Sequence, residues 1–179
     1  MSKKKDILEA ALKLFTENGE RATSTKSIAS EAETSEALIF RHFGTKDKLL
    51  EEIIKNGYQE ATKLIGNYLN DENGLDYILK IVEVPQILVD AHPDFWEMQH
   101  KIIALNSLSQ KYHDAFMKPC YEKLKLAFSQ LHYENPTLEA ELLLIYIDGM
   151  WKHFASQQMD SKTESDLIKL LQQKYCELR

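Results

Sequence analysis

The chain has 179 residues, with 22 Lys+Arg against 28 Asp+Glu and a formal net charge of −6. That length suits one ordinary domain, or a small module fused to a larger one, and lets roughly 70% of the unfolded surface be buried. A hydrophobic share of 44% with 28% charged residues excludes a disordered chain, and two cysteines, Cys120 and Cys176, supply neither a disulfide framework nor a zinc site.

The charge is unevenly placed. Residues 1–50 hold nine Lys+Arg and eight Asp+Glu, whereas residues 51–179 hold 13 and 20. A near-neutral head on an acidic body suggests two jobs, with only the head suited to a polyanion. Lys3-Lys4-Lys5 begins like an export signal, but Asp6 and Glu9 interrupt any apolar run behind it. The longest strongly apolar stretch, Leu142 to Ile147, is too short to span a bilayer. The expectation is a cytoplasmic protein that does not engage a membrane.

Helix is expected almost throughout. There are three valines, no Asn-Gly pair set between strand-like runs, and no sustained alternation of polar and apolar residues. Breaks fall at Gly19, Gly44, Asn73-Gly74, His92-Pro93, Pro119 and Asn135-Pro136. The first piece, Lys4 to Asn18, carries Ile7, Leu8, Ala11, Leu12 and Phe15 as one apolar stripe. Gly19 then stands where a left-handed C-terminal cap is wanted. Thr23-Ser24-Thr25 is a run of N-caps ahead of a short helix with Ile28, Ala29 and Ala32 on one face. Ser35 caps a third short helix, Glu36 to about His42, and Gly44-Thr45 breaks and caps again. A long helix follows from Lys46 to about Asn70, with Leu49, Leu50, Ile53, Ile54, Ala61, Leu64 and Ile65 facing inward.

Two short helices behind a longer one, joined by a tight turn, outline a helix-turn-helix. Ala29 and Ala32 let the short helices cross closely. Ile28, Leu38 or Ile39, and Phe43 would form the small core beneath the crossing.

The stretch Ala22-Thr23-Ser24-Thr25-Lys26-Ser27-Ile28-Ala29, then Ala32-Glu33-Thr34-Ser35, then Ile39-Phe40-Arg41-His42-Phe43-Gly44-Thr45-Lys46-Asp47-Lys48-Leu49 resembles the N-terminal signature of the TetR family of transcriptional regulators. Three departures stand out: Glu33 for the usual turn glycine, Ala37 for a frequent glycine, and Phe40 for the usual tyrosine. A left-handed non-glycine at position 33 would cost about 1 kcal/mol.

The resemblance implies an all-α fold of about nine helices. Residues 1–48 would form a helix-turn-helix DNA-binding domain, and residues 49–179 a helical effector-binding and dimerisation domain. It further implies a dimeric regulator, a repressor released by a small-molecule effector, with double-stranded DNA carrying a palindromic operator as its partner. No enzymatic activity and no cofactor are expected.

At the DNA surface, Glu36, Ala37 and Leu38 would lie nearest the bases, with Phe40, Arg41 and His42 beside or a turn beyond them. Glu36 would accept from a cytosine amine, and Ala37 or Leu38 would touch a thymine methyl. Lys26 would reach a phosphate or a guanine. Thr23, Ser24, Thr25, Ser35 and Lys46 would meet phosphates, with Lys3, Lys4 and Lys5 as a basic arm.

Further helices are sketched at 74–90, 94–107, 109–132, 136–158 and 163–178. The piece from Glu139 to Phe154 is apolar on more than one face, and the last carries Leu167, Ile168, Leu170, Leu171, Tyr175 and Leu178. A helix apolar all round must be covered on both sides. These two helices are therefore expected to pair with a second copy of the chain. Candidate effector contacts are Phe95, Trp96, Met98, His100, Ile103, Phe116, Met117, Tyr121, Tyr146 and Trp151, with a filled core as the competing explanation for each.

Two rival readings remain. Glu97-x-x-His100 has the spacing of carboxylate-bridged metal bundles, but no second copy is present. A helical interaction module without DNA binding would account for Glu33, Glu36, Phe40 and the barely positive head.

Overall fold

The computed structural model describes residues 2–70, 73–156 and 160–177. Among them are nine helices and no strands: α1 (Lys3–Asn18), α2 (Thr25–Glu31), α3 (Glu36–Phe43), α4 (Lys46–Tyr68), α5 (Gly74–Ala91), α6 (Pro93–Ile102), α7 (Ser107–Gln130), α8 (Pro136–Ala155) and α9 (Ser161–Glu177). The all-helical expectation holds, and most ends fall within a few residues of the sketch. Leu178, placed on the last stripe, lies outside the described residues.

The chain divides into two compact units that do not follow a single cut at residue 48. One comprises residues 1–59 and 94–112, the other 60–93 and 113–179. A cut at 48 would fall inside α4, whose first turns carry core side chains of the first unit. Helix α6 also belongs to that unit, although it lies far along the sequence.

The first unit closes on the stripe expected of α1. Ile7, Ala11 and Phe15 are buried together with Ile28, Ile39, Leu49 and Ile54. Each such aliphatic or aromatic side chain contributes roughly 1.5–3 kcal/mol by leaving water. Of the two alternatives on α3, Ile39 is the buried one and Leu38 is half-buried. Helices α1, α2 and α3 pack pairwise around this core.

Helix α6 is fastened to α1 by polar contacts as well. Thr16 Oγ1 donates to the Asp94 carbonyl at 3.0 Å, and Lys101 Nζ donates to the Thr16 carbonyl at 2.6 Å. On its apolar side, Phe95 lies against α4 at Gly57, where an added Cβ would come within 2.1 Å of the ring. Tyr58, Phe95 and Trp96 meet edge to face at 5.0–5.6 Å. The helix was expected to run to residue 107. It ends at Ile102 because Asn106 caps α7, its Oδ1 accepting from the Ser109 amide at 2.9 Å.

In the second unit, α5 packs on both α8 and α9. The helical runs continue through Pro85 and Pro119. Glu83 takes a hydrogen bond from the Tyr68 hydroxyl and another from Gln172 Nε2, joining α4, α5 and α9. Among the described residues no helix is long and apolar enough to cross a membrane.

Candidate nucleic-acid interface

The geometry of the interface begins with the turn between α2 and α3. Ala32 ends α2, and Glu33 takes a left-handed φ of 47°. The Glu33 amide donates to the Ser30 carbonyl at 3.2 Å, and the Thr34 amide reaches the Ala29 carbonyl at 2.9 Å. This pair of bonds is a Schellman motif, which satisfies carbonyls otherwise orphaned at the helix end. Glycine is the usual residue there, so the expected strain at Glu33 is present. Lys3 Nζ lies over the same helix end, 3.4 Å from the Ala32 carbonyl.

Helix α2 is started by Ser24. Its Oγ accepts from the Ser27 amide at 3.0 Å, and Ser27 Oγ accepts from the Ser24 amide at 3.1 Å. Ser27 acts here as the returning half of a capping box, usually a glutamate or glutamine role. That substitution hides the box from the usual sequence pattern. Ser35 Oγ caps α3 by accepting from the Leu38 amide at 3.2 Å. Gly44, at a φ of 78°, ends α3, and Thr45 Oγ1 receives the Lys48 amide at 3.2 Å.

Two expected phosphate contacts are engaged inside the fold. The Thr23 side chain is buried and its hydroxyl faces the Leu14 and Gly19 carbonyls at 3.1 and 2.8 Å. Lys46 Nζ donates to the Glu20 and Thr23 carbonyls at 2.7 and 3.1 Å and lies 3.0 Å from the Glu20 carboxylate. Three partners account for three ammonium protons, so Lys46 is a tie between α4 and the loop before α2. Nor is there a basic arm. Lys3, Lys4 and Lys5 begin α1, at 3.6, 2.5 and 3.3 Å from Asp6, Glu52 and Glu9.

The remaining candidates do share a surface. Ala37, Phe40 and Arg41 are spaced to lie on one face of α3, and all three are exposed, as is His42. Phe40 is 48% exposed and so is not a core residue. Lys26 and Arg41 have no acidic partner among the described residues, and neither does Lys48, which the sequence reading passed over in favour of Lys46. Glu36, the first residue of α3, is half-buried, and one of its carboxylate oxygens accepts from the Thr25 hydroxyl at 2.6 Å.

The candidate effector contacts do not converge. Phe95, Trp96 and Met98 are core residues of the first unit, with His100 and Ile103 half-buried beside them. Met117 and Tyr121 are half-buried on α7, the latter under the Lys125 ammonium at 4.7 Å. Trp151 is buried with its ring 5.5 Å from that of His113, whose pKa burial lowers. Tyr146 is 47% exposed on α8.

Phe116 lines a cleft of about 220 Å³ in the second unit. Its other walls are Thr62, Ile65, Gly66, Leu69, Tyr77, Ala115, Pro119, Cys120 and Lys123. Burial pushes the Tyr77 phenol and the Cys120 thiol up, so both are protonated near neutrality. Small and aliphatic residues make most of this wall, and their spacing on α4 and α7 looks like ordinary core.

On the rival metal reading, the Glu97 carboxylate is taken by Lys101 at 2.7 Å, and no group of three potential ligands gathers among the described residues.

A short, solvent-facing helix set across another by a tight turn, with unpaired cations beside it, defines a helix-turn-helix protein. The sequence profile described as "Bacterial regulatory proteins, tetR family" matches residues 7–53, a span that takes in α1 to α3 and the start of α4. Over residues 7–53 the chain is thus similar to the N-terminal part of the TetR family of bacterial regulatory proteins.

Over 92 residues it is 35% identical to the HTH-type transcriptional repressor Rv3405c of Mycobacterium tuberculosis, covering 49% of this chain and 47% of that protein. The chain thus matches about half the length of this relative. Two solved structures share the fold over nearly the whole chain. A TetR-like transcriptional regulator from Rhodococcus sp. RHA1 gives a TM-score of 0.79 at 17% identity, covering 96% of this chain and 94% of its own. AibR, solved with isovaleryl coenzyme A and operator DNA, gives 0.74 at 20% identity, covering 97% of each chain.

Proposed function

We propose that this chain is a dimeric DNA-binding transcriptional regulator, a cytoplasmic repressor released by a small-molecule effector. The observation that carries this reading is the outward face of α3. It presents Ala37, a half-exposed Phe40 and an unpaired Arg41 on a helix held by the turn at Glu33, with Lys26 and Lys48 free to meet phosphates. A recognition helix enters the major groove this way, and flanking cations supply affinity without sequence information. Residues 1–48 are then the DNA-reading part. Of the twelve contacts first expected, Thr23 and Lys46 are replaced by Lys48.

Pairing through α8 and α9 is supported by what the fold leaves bare. Leu138, Leu142, Ile145 and Tyr146 lie at i, i+4, i+7 and i+8 on α8 and are 45–66% exposed, and Leu170 on α9 is 52% exposed. A contiguous apolar stripe of this kind marks an association surface, and a closed twofold is the commonest arrangement. The effector would enter the cleft walled by Phe116, Tyr77 and Cys120, which suits a small apolar molecule with a polar group near Thr62 or Lys123. Helix α4 contributes residues both to the reading unit and to that cleft, so it is the element through which occupancy would change the separation of two reading heads. By linkage, DNA must weaken effector binding by the same factor.

Selection of bound duplexes from a random library by the full chain tests this. Enrichment of a palindrome with half-sites about 10 base pairs apart, or a multiple, is expected. Failure to enrich any duplex would leave a helical interaction module as the better account.

A further inference from the structure

The Thr25–Glu36 contact joins the first residue of α2 to the first residue of α3, on the surface assigned to DNA. At 2.6 Å it is a short, charge-assisted hydrogen bond. A threonine hydroxyl has one proton to give. While Thr25 donates to Glu36 Oε2, it has none for a phosphate oxygen, which is an acceptor only. The phosphate role implied for Thr25 by the family resemblance is therefore closed in this chain.

The same bond changes what Glu36 is. An ionised carboxylate on a helix facing DNA is repelled by phosphates, so it lowers affinity for duplex of any sequence. Here it is held in one place, at the positive end of α3, with Oε1 left without a partner. Among major-groove edges, guanine presents only acceptors and thymine an acceptor and a methyl group; both oppose an oxygen. Adenine offers a donor flanked by the N7 acceptor. Cytosine offers its N4 amine with an acceptor, guanine O6, on one side only, its own C5 edge carrying none. One free carboxylate oxygen matches that lone donor, and the neighbouring Ala37 is small enough to let the helix come close.

We propose that Thr25 and Glu36 act as one base-reading unit, in which the Thr25 hydroxyl holds the Glu36 carboxylate in position to select a cytosine in each half-site. Thr25 is the positioning residue and Glu36 the specificity-determining one. The proposal rests on the DNA-binding reading above.

Its test uses the full chain, duplexes selected from a random library, and the variants E36Q, T25V and T25S, each checked for a wild-type thermal midpoint. Wild type should show one cytosine in each half-site whose replacement weakens binding about tenfold. E36Q should move the preference there to adenine, because an amide matches the N6 and N7 pair. T25V should flatten the cytosine preference by about the same factor while leaving affinity for a mixed-sequence duplex within about twofold. T25S, which retains the hydroxyl, should restore the preference.

If T25V instead weakens all duplexes equally and keeps the cytosine preference, Thr25 is a phosphate contact and the positioning role is overturned. An unchanged base preference in E36Q overturns the reading role of Glu36. Should the wild-type chain select no duplex at all, it is the DNA-binding reading that fails. Should T25V unfold, T25A removes the same hydroxyl and is read in its place, and E36Q must still change base.

Discussion

Between Thr23 and Lys46 most hydroxyl and ammonium groups are tied to neighbours in the same chain, whereas on α8 a row of leucine, isoleucine and tyrosine side chains stays 45–66% exposed. In the head, polar chemistry builds the frame and a few side chains project from it, among them Lys26, Phe40 and Arg41. In the body, apolar side chains both fill the core and lie uncovered on one helix face. The contrast separates two kinds of surface. On the function proposed above, one meets a rigid, charged partner and the other a partner as apolar as itself.

The strongest way to break this contrast is to charge the bare stripe. The double variant L142E/I145E should sediment as a monomer at micromolar concentration. It should lose operator affinity by at least about 100-fold, because each head would hold its half-site alone. Retention of a dimer in sedimentation would place the pairing face elsewhere.

A middle-sized effect separates the two lysines. K46M should lower unfolding stability by about 1–3 kcal/mol, since the Glu20 and Thr23 carbonyls and a carboxylate lose their donor, with the salt dependence of binding unchanged. K48A should do the reverse, keeping the midpoint and flattening the salt slope by about one ion. Denaturant melts beside gel shifts at several salt concentrations read both, and a flattened slope in K46M would return that residue to the interface.

The smallest effect compares one motif in both units. His132, at a φ of 59° after α7, repeats the turn of Glu33: its amide donates to Ser129, the Tyr133 amide reaches Phe128, and the Phe128 and Tyr133 rings meet at 5.0 Å. Because both left-handed residues carry side chains, E33G and H132G should each stabilise by up to about 1 kcal/mol in denaturant melts. Destabilisation by either would mean that its side chain contributes more than the strain costs.

What the sequence made legible followed from periodicity and from caps. Ile7, Phe15, Ile28 and Phe43 fall on stripes, and Ser24 and Ser35 stand one residue ahead of their helices. Lys46 and Lys48 could not be told apart that way. They sit two positions apart on the same helix, so they point to different sides, and only the fold brings Glu20 to one of them. The aromatic run of α6 misled for a related reason. Phe95 and Trp96 have the chemistry of a ligand wall, but the open face of Gly57 accepts the Phe95 ring and turns that wall into core. The cleft beside Phe116 is lined by Ile65, Leu69, Ala115 and Cys120, which no spacing rule distinguishes from packing.

The central claim is that two copies of α3 meet one duplex in successive major grooves. Methylation interference on a duplex selected by the full chain addresses it directly, because methylating guanine N7 blocks the major-groove edge alone. The account predicts two tracts of interference centred about one helical turn, or a multiple, apart on one face of the DNA. A single tract, or binding indifferent to guanine N7 methylation, would contradict it.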